Sequence, residues 1–261
     1  MKKSICIEKI FLEVPFYDRF KCVKDAGFEY VEFWTWEDKD IDRVPGLLKE
    51  HDLRVASISG DRMFSPIISE EREQYLSYLA TSLKVAQRLK CQHVVVHSNG
   101  IDKGKVTNDG STLSYAKKVA SMTRTLGEAA RMAEGAGVTL VLEAVNTYTM
   151  PGYFLNTTVE AGDIVRVIGS PNLKILYDIW HMQQMEGNMV HYLTRYIDVL
   201  GYVHIGDAPD RHEPGTGEIN FDRIKRTLKS IGYDGVFGFE LVPSESSAKC
   251  CEITLGQISL R

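Results

Sequence analysis

The sequence has no run of about 18 apolar residues, the length a membrane-spanning helix requires. Its opening stretch, MKKSICIEKIFLEV, carries two lysines, but charges interrupt the apolar residues behind them, so it lacks the continuous core of a secretion signal. Both absences point to a cytoplasmic chain without a membrane partner. Cysteine is sparse: Cys6, Cys22, Cys91, Cys250 and Cys251 are odd in number and show no CxxC spacing. Free thiols are expected rather than a disulfide framework. The vicinal Cys250 and Cys251 have no second ligand pair with which to hold a soft metal. Basic charge is also lacking, since 31 Lys and Arg against 35 Asp and Glu leave a net charge of −4 and a pI near 6.0. No electrostatic footprint for nucleic acid follows from that balance. No Ser/Pro-rich linker or charge block divides the chain, so residues 1–261 are expected to form one domain. A hydrophobic fraction of 44% and a charged fraction of 25% suit a globular core of that size.

What is present is an alternation. Short β-branched runs are separated by longer amphipathic stretches, the pattern of βαβ units with a parallel sheet. Eight strands are expected: SICI (4–7), YVEF (30–33), RVASIS (54–59), HVVVH (93–97), VTLVLE (138–143), LKILYD (173–178), YVHI (202–205) and GVFGFE (235–240). Helical stretches fill the gaps. One starts at Ser69 with acids in its first turn, one stops at the glycines 135 and 137, and one is capped by Asn156 or Thr157 and stopped at Gly169. Eight such units in about 250 residues predict a single (β/α)₈ TIM barrel.

Four late strands each end on or beside a metal-ligand residue: Glu143, Asp178, His204 and Glu240. They are separated by 35, 26 and 36 residues, about one barrel unit each. Their side chains should therefore converge at the C-terminal mouth, where barrel active sites lie. A carboxylate inside an apolar run is costly to bury unpaired, so Glu143 is either a ligand or base, or a carboxylate satisfied by a barrel cation. One imidazole with three carboxylates suits a single divalent ion, Mn²⁺, Mg²⁺ or Co²⁺, and leaves Zn²⁺ open.

Other residues can line the same mouth. His181, three residues past Asp178, can reach a substrate oxygen or stand behind the ligands. Arg211, in the charged loop GDAPDRHEPGTGEINF, has a planar fork suited to a carboxylate or polyol oxygens, or sits in a solvated loop. The PGTG within that loop is too short and wrongly spaced to cradle phosphate. Glu32 in YVEF can hydrogen-bond substrate, support the site or form a structural ion pair. His97 ends its strand at the same mouth. Trp34, Trp36 and Trp180 can wall the substrate or simply pack.

Two glutamates flanking a divalent ion suit proton transfer next to a carbonyl. One removes the α-proton, and the other returns a proton to the neighbouring carbon or to the opposite face. The first outcome is isomerisation and the second epimerisation.

The segments EAVNTYTMPGYFLNTT, NLKILYDIWHMQQMEG, GYVHIGDAPDRHEPGTGEINF and IGYDGVFGFE, spread over residues 140–243, resemble the hydroxypyruvate isomerase family of the xylose isomerase-like barrel superfamily. EVPFYDRFKCVKDAGFEYVEF resembles the opening of that family. The resemblance implies metal ligands at Glu143, Asp178, His204 and Glu240, an acid–base pair of Glu143 and Glu240, and substrate binding by His181 and Arg211. The family's fourth ligand varies between an amide and an imidazole, and His204 looks more like the related ketose 3-epimerases. FWTWEDKD, SISGDRMFSPI and HSNGIDKGK depart from the family pattern. These loops are expected to shape the distal pocket around Glu32, Trp34 and His97, and hence to select a carbohydrate or keto-acid substrate. A decarboxylase of a 3-oxo sugar acid, passing through a similar enediolate, is the alternative activity. An abasic-site endonuclease on the same barrel is more remote, because that chemistry uses a zinc cluster and more histidines. A homo-oligomer stays open, since sequence does not separate exposed patches from core.

Overall fold

The computed structural model describes residues 1–258. Eight parallel strands close into a barrel: β1 (Lys2–Cys6), β2 (Tyr30–Phe33), β3 (Arg54–Ser59), β4 (His93–Val96), β7 (Thr139–Glu143), β8 (Leu173–Asp178), β9 (Leu200–Ile205) and β10 (Val236–Phe239). A small antiparallel hairpin, β5 (Ile101–Asp102) and β6 (Lys105–Val106), rides on the loop after β4. This is the (β/α)₈ barrel expected from the alternation, with strand limits moved by two residues at most.

The helices around it are α1 (Arg19–Asp25), α2 (Val44–Glu50), α3 (Arg72–Leu89), α4 (Tyr115–Ala136), α5 (Thr158–Ile168), α6 (Ile179–Met185), α7 (Met189–Arg195), α8 (Phe221–Ser230) and α9 (Ser247–Ile258). Local chemistry sets several ends. Ser114 and Thr157 accept the Lys117 and Glu160 amides as N-caps, while Gly137 and Gly169 close α4 and α5 at φ +68° and +69°. Thr157, not Asn156, is therefore the cap of α5. Ser69 opens a 3₁₀ turn, Ser69–Glu71, that feeds α3 instead of capping it. All five cysteines are free, and Cys250 and Cys251 are buried on α9.

The main core lies between strands and helices. A second, smaller cluster fills the barrel itself: Tyr30, Ala56, Val95, Val141, Leu176, Tyr202 and Val236, one from each strand except β1, where the buried Ser4 stands. Strand side chains alternate faces, so the residue two places further along points the same way. Two steps beyond this layer come Glu32, His97, Glu143, Asp178 and His204, and four steps beyond Val236 comes Glu240. The apolar plug is thus the floor on which the charged residues stand.

Candidate metal centre and active-site cavity

Glu143, Asp178 and His204 are the last or next-to-last residues of their strands, and Glu240 follows β10 directly. All four are buried, and each offers a ligand atom that lies within 4.8 Å of the other three. His204 Nδ1 approaches Glu240 Oε2 to 3.0 Å, Asp178 Oδ2 to 3.7 Å and Glu143 Oε1 to 3.9 Å. Despite the 3.0 Å approach, neither nitrogen of His204 makes a hydrogen bond of acceptable geometry. A buried polar atom without a partner costs about 1–3 kcal/mol, so the ring is arranged for a further partner. Its Nδ1 faces three carboxylates at distances open to a shared cation. The donor set therefore fits one hard or borderline divalent ion.

Support for this imidazole comes from below. Glu32 Oε1 lies 3.6 Å from His204 Nε2 and has no other partner. The other oxygen of Glu32 accepts from Ser57 Oγ at 3.0 Å and from the Tyr202 hydroxyl. A Cβ at position 238 would stand 2.7 Å from Glu32 Oε1, so glycine there keeps space for the carboxylate. Of the roles open to Glu32, the geometry matches support of His204.

Arg211 reaches into the cluster. Its Nη2 donates to Asp178 Oδ2 at 2.7 Å and Glu240 Oε2 at 2.9 Å, its Nε donates to the Glu240 carbonyl, and its guanidinium lies over Trp180. Burial opposes the Glu240 charge, but Arg211 and His204 outweigh it and hold that carboxyl well below its ordinary range. Burial lowers the pKa of the His204 imidazole, but Glu32 and Glu240 outweigh it and hold it well above the ordinary value.

His181 is different. Asn146 donates its backbone amide (3.0 Å) and side-chain amide (2.7 Å) to Nδ1, leaving Nε2 to carry the hydrogen. Burial, then the charge of Arg211, pushes its pKa down to about 3. It is a neutral donor whose Nε2 stands 3.9 Å from both Glu143 Oε1 and Asp178 Oδ2.

His97 bonds Asp61 through Nδ1 at 2.7 Å and faces Glu143 Oε2 through Nε2 at 3.3 Å. Burial alone would lower its pKa, but Asp61, then Glu143, raise it to about 10. A raised pKa means the proton stabilises the folded metal-free protein fully below about pH 6.5, the ordinary value, and that contribution disappears as pH rises through about 10. In a metal-free NMR titration the His97 ring is expected to show no transition between pH 6 and 8. A midpoint near its ordinary value would contradict this geometry.

The cavity above the cluster has a volume of about 640 Å³. Trp34, 41% exposed, stands on its wall and donates its indole N–H to Glu240 Oε1 at 3.1 Å. Trp180 lines it too. Trp36 does not: its indole bonds Ser82 Oγ and its ring packs on Tyr78, so of the two roles open to it the structure shows packing. The loop bearing Arg211 is gathered by Asp207, whose carboxylate accepts the amides of Ala208, Gly215, Gly217 and Ile219 at 2.8–3.1 Å. A Cβ at position 217 would meet the Ala208 carbonyl at 1.9 Å, so this closure requires glycine there.

Asp61, Asn146 and Tyr202 belong to the site but do not stand out in the sequence. Asp61 follows a strand by two residues, as a ligand might. The other two act only through a histidine or carboxylate they touch.

The family model described as xylose isomerase-like TIM barrel matches residues 20–250, and the chain belongs to that family. It is 39% identical over 245 residues to 2-oxo-tetronate isomerase from Cupriavidus necator, covering 91% of each chain. It is 30% identical over 255 residues to hydroxypyruvate isomerase from Escherichia coli, covering 95% of each. Among solved structures, AP endonuclease, family 2 from Brucella melitensis superposes with a TM-score of 0.84 at 28% identity, over 95% of this chain and 96% of that one.

Proposed function

We propose that this barrel is a divalent-metal-dependent isomerase or epimerase of a small hydroxy-carbonyl compound, a hydroxypyruvate-like keto acid or a ketose, acting through a cis-enediolate. The observation that carries this reading is the convergence of the four ligand atoms within 4.8 Å, with the two glutamates flanking the strands that bear Asp178 and His204. The names of the two curated relatives, both isomerases of keto acids, support it. A divalent ion held by Glu143, Asp178, His204 and Glu240 supplies positive charge for the negative charge that develops on the substrate oxygens. One glutamate, ionised, takes the proton from the carbon beside the carbonyl; the other, carrying a proton at that stage of the cycle, delivers it to the opposite face of the same carbon, or to the adjacent carbon while the substrate hydroxyl proton passes to the former carbonyl oxygen. His181, neutral with Nε2–H facing the cluster, donates a hydrogen bond to a substrate oxygen. Arg211, released from its carboxylate contacts, clamps a second oxygen.

The test is a screen of small hydroxy-keto acids and ketoses in D₂O with added Mn²⁺, Mg²⁺ or Co²⁺, followed by NMR. Deuterium entering the carbon next to the carbonyl together with isomer formation is expected. Carbon dioxide release without isomer interconversion would reassign the enzyme as a decarboxylase.

A second reading, cleavage of DNA at abasic sites, is raised by the Brucella melitensis structure. The single imidazole among the four candidate ligands and the net charge of −4 favour the first. Salt-sensitive binding of abasic duplex would decide for the second.

The geometry below His204 gives a prediction about the ion. Glu32→Gln is expected to weaken Mn²⁺ binding by about 10- to 100-fold, because a carboxylate facing the far nitrogen of a ligating imidazole orients the ring and raises its basicity. Calorimetric titration of the metal-free protein measures this directly, and equal affinities would refute it.

A further inference from the structure

Four lysine and arginine side chains line the cavity, and two are already committed. Arg62 is paired with Glu37 and Asp102, and Arg211 with Asp178 and Glu240. Lys9 and Lys103 reach no carboxylate at ion-pair distance among the described residues. Lys9 is half-buried just past β1, its ammonium 5.2 Å from the centroid of the Trp34 ring. Trp34 in turn is bonded to Glu240, so Lys9 stands one indole away from the ligand cluster. The adjacent carboxylate does not neutralise it, because Glu8 is held by Lys39 at 2.8 Å and faces the Trp34 amide. A half-buried ammonium over an indole, open to a cavity and lacking a counter-ion, is arranged to receive an anion.

Lys103 repeats the theme on another loop. It occupies the first turn position of the β5–β6 hairpin at φ +49°, ahead of Gly104 at φ +74°. Such a turn favours Asn, Asp or Gly at that position, so the lysine is kept against the backbone's preference, and it lines the same cavity. The lining also holds one carboxylate without an ion-pair partner among the described residues, Asp210. The uncommitted charges are therefore two positive and one negative.

We propose that Lys9 binds the anionic end of the substrate, so that the site selects acidic hydroxy-carbonyl compounds over neutral sugars of the same length. The assignment rests on the isomerase or epimerase reading, which leaves a keto acid and a ketose equally open. Lys9 supplies the contact that separates them, and the exposed Lys103 reinforces the positive field at the entrance. A lysine that is merely solvated at the rim predicts no such discrimination.

The experiment reads binding, so its outcome is separable from that of the turnover screen. The Mn²⁺-loaded protein is titrated calorimetrically with erythronate, a four-carbon polyhydroxy acid, and with erythritol, its neutral polyol counterpart. Erythronate is expected to bind at least about tenfold more tightly, since a charge-assisted hydrogen bond contributes that much or more. Lys9→Met is expected to remove about 10- to 100-fold of the erythronate affinity and none of the erythritol affinity, with Lys9→Arg retaining most of it. A preference that survives Lys9→Met, as one arising at the metal would, overturns the proposal. So do equal affinities in the unsubstituted protein, absence of binding by both ligands, and a preference lost in Lys103→Ala but not in Lys9→Met. Erythronate binding that depends on Lys9, with no deuterium exchange in any substrate, would leave this inference standing while the isomerase reading fails.

Discussion

Replacing Glu143 or Glu240 by Gln is expected to lower turnover by about 10³-fold or more while leaving a folded barrel. Each glutamate has two tasks in the proposed reaction. It contributes negative charge to the ion and it carries a proton, and an amide does the second of these not at all. General acid–base contributions alone are worth about 10²- to 10⁴-fold. Shape is conserved by the change, so the packing around both positions should hold. The two variants are expected to differ in which contacts of the cluster they weaken. Glu240 accepts from Arg211 and from Trp34, whereas Glu143 faces the protonated His97 and the neutral His181. Glu240→Gln should therefore leave Arg211 with Asp178 as its one ion-pair partner among the described residues, and Glu143→Gln should leave His97 paired to Asp61 alone. Steady-state kinetics on the substrate found by the screen, with circular dichroism and Mn²⁺ titration as controls, measures the effect. Turnover within tenfold of the unsubstituted enzyme in either variant would remove that glutamate from the proton pathway.

The candidate ligands were legible because each is a charge that terminates an apolar run. The period-two alternation of a strand does the rest: Val141, Leu176 and Tyr202 plug the barrel, and Glu143, Asp178 and His204, two places on, must point to the same side. His97 obeys the same rule above Val95. What the sequence conceals is the layer that depends on loops closing. Asp61 gains meaning only when the loop after β3 brings it to His97. Asn146 matters because it fixes which nitrogen of His181 carries the hydrogen. Several short elements are hidden for local reasons. In α2 the run VPGLLKE places Pro45 and Gly46 in the first turn, which reads as a loop although proline is tolerated there. Helix α6 begins on Asp178 itself, so its apolar residues merge with those of β8. The (β/α)₈ class survives such gaps because eight strands and their spacing determine it.

Asp207 is where a loop residue is expected to matter as much as a core one. In the sequence it is one charge among several in GDAPDRHEPGTG. In the structure it is 1% exposed and has no cationic partner among the described residues, and its charge is met by four backbone amides spread from Ala208 to Ile219. Converging amide dipoles stabilise an anion much as a cation would. Hydrogen bonds to a charged group contribute about 1.5–3 kcal/mol each, but four on one residue do not add in full, because a loosened loop lets water reach the freed amides. Asp207→Ala is therefore expected to destabilise the fold by about 3–5 kcal/mol, read as a lower urea midpoint. Asp207→Asn keeps the shape but turns an NH₂ toward two of the amide donors, so it should recover little of the loss. Asp210→Asn, three residues on and exposed, should change stability by no more than about 0.5 kcal/mol. The same loop sets Arg211 at φ +61°, a left-handed backbone that an arginine adopts only when its surroundings impose it. Loss of the Asp207 anchor should accordingly free the guanidinium from Asp178 and Glu240, and substrate affinity should fall along with stability. An Asp207→Ala protein with an unchanged urea midpoint would show that the loop is held by other contacts, among them the Glu213–Ser244 pair at its far side.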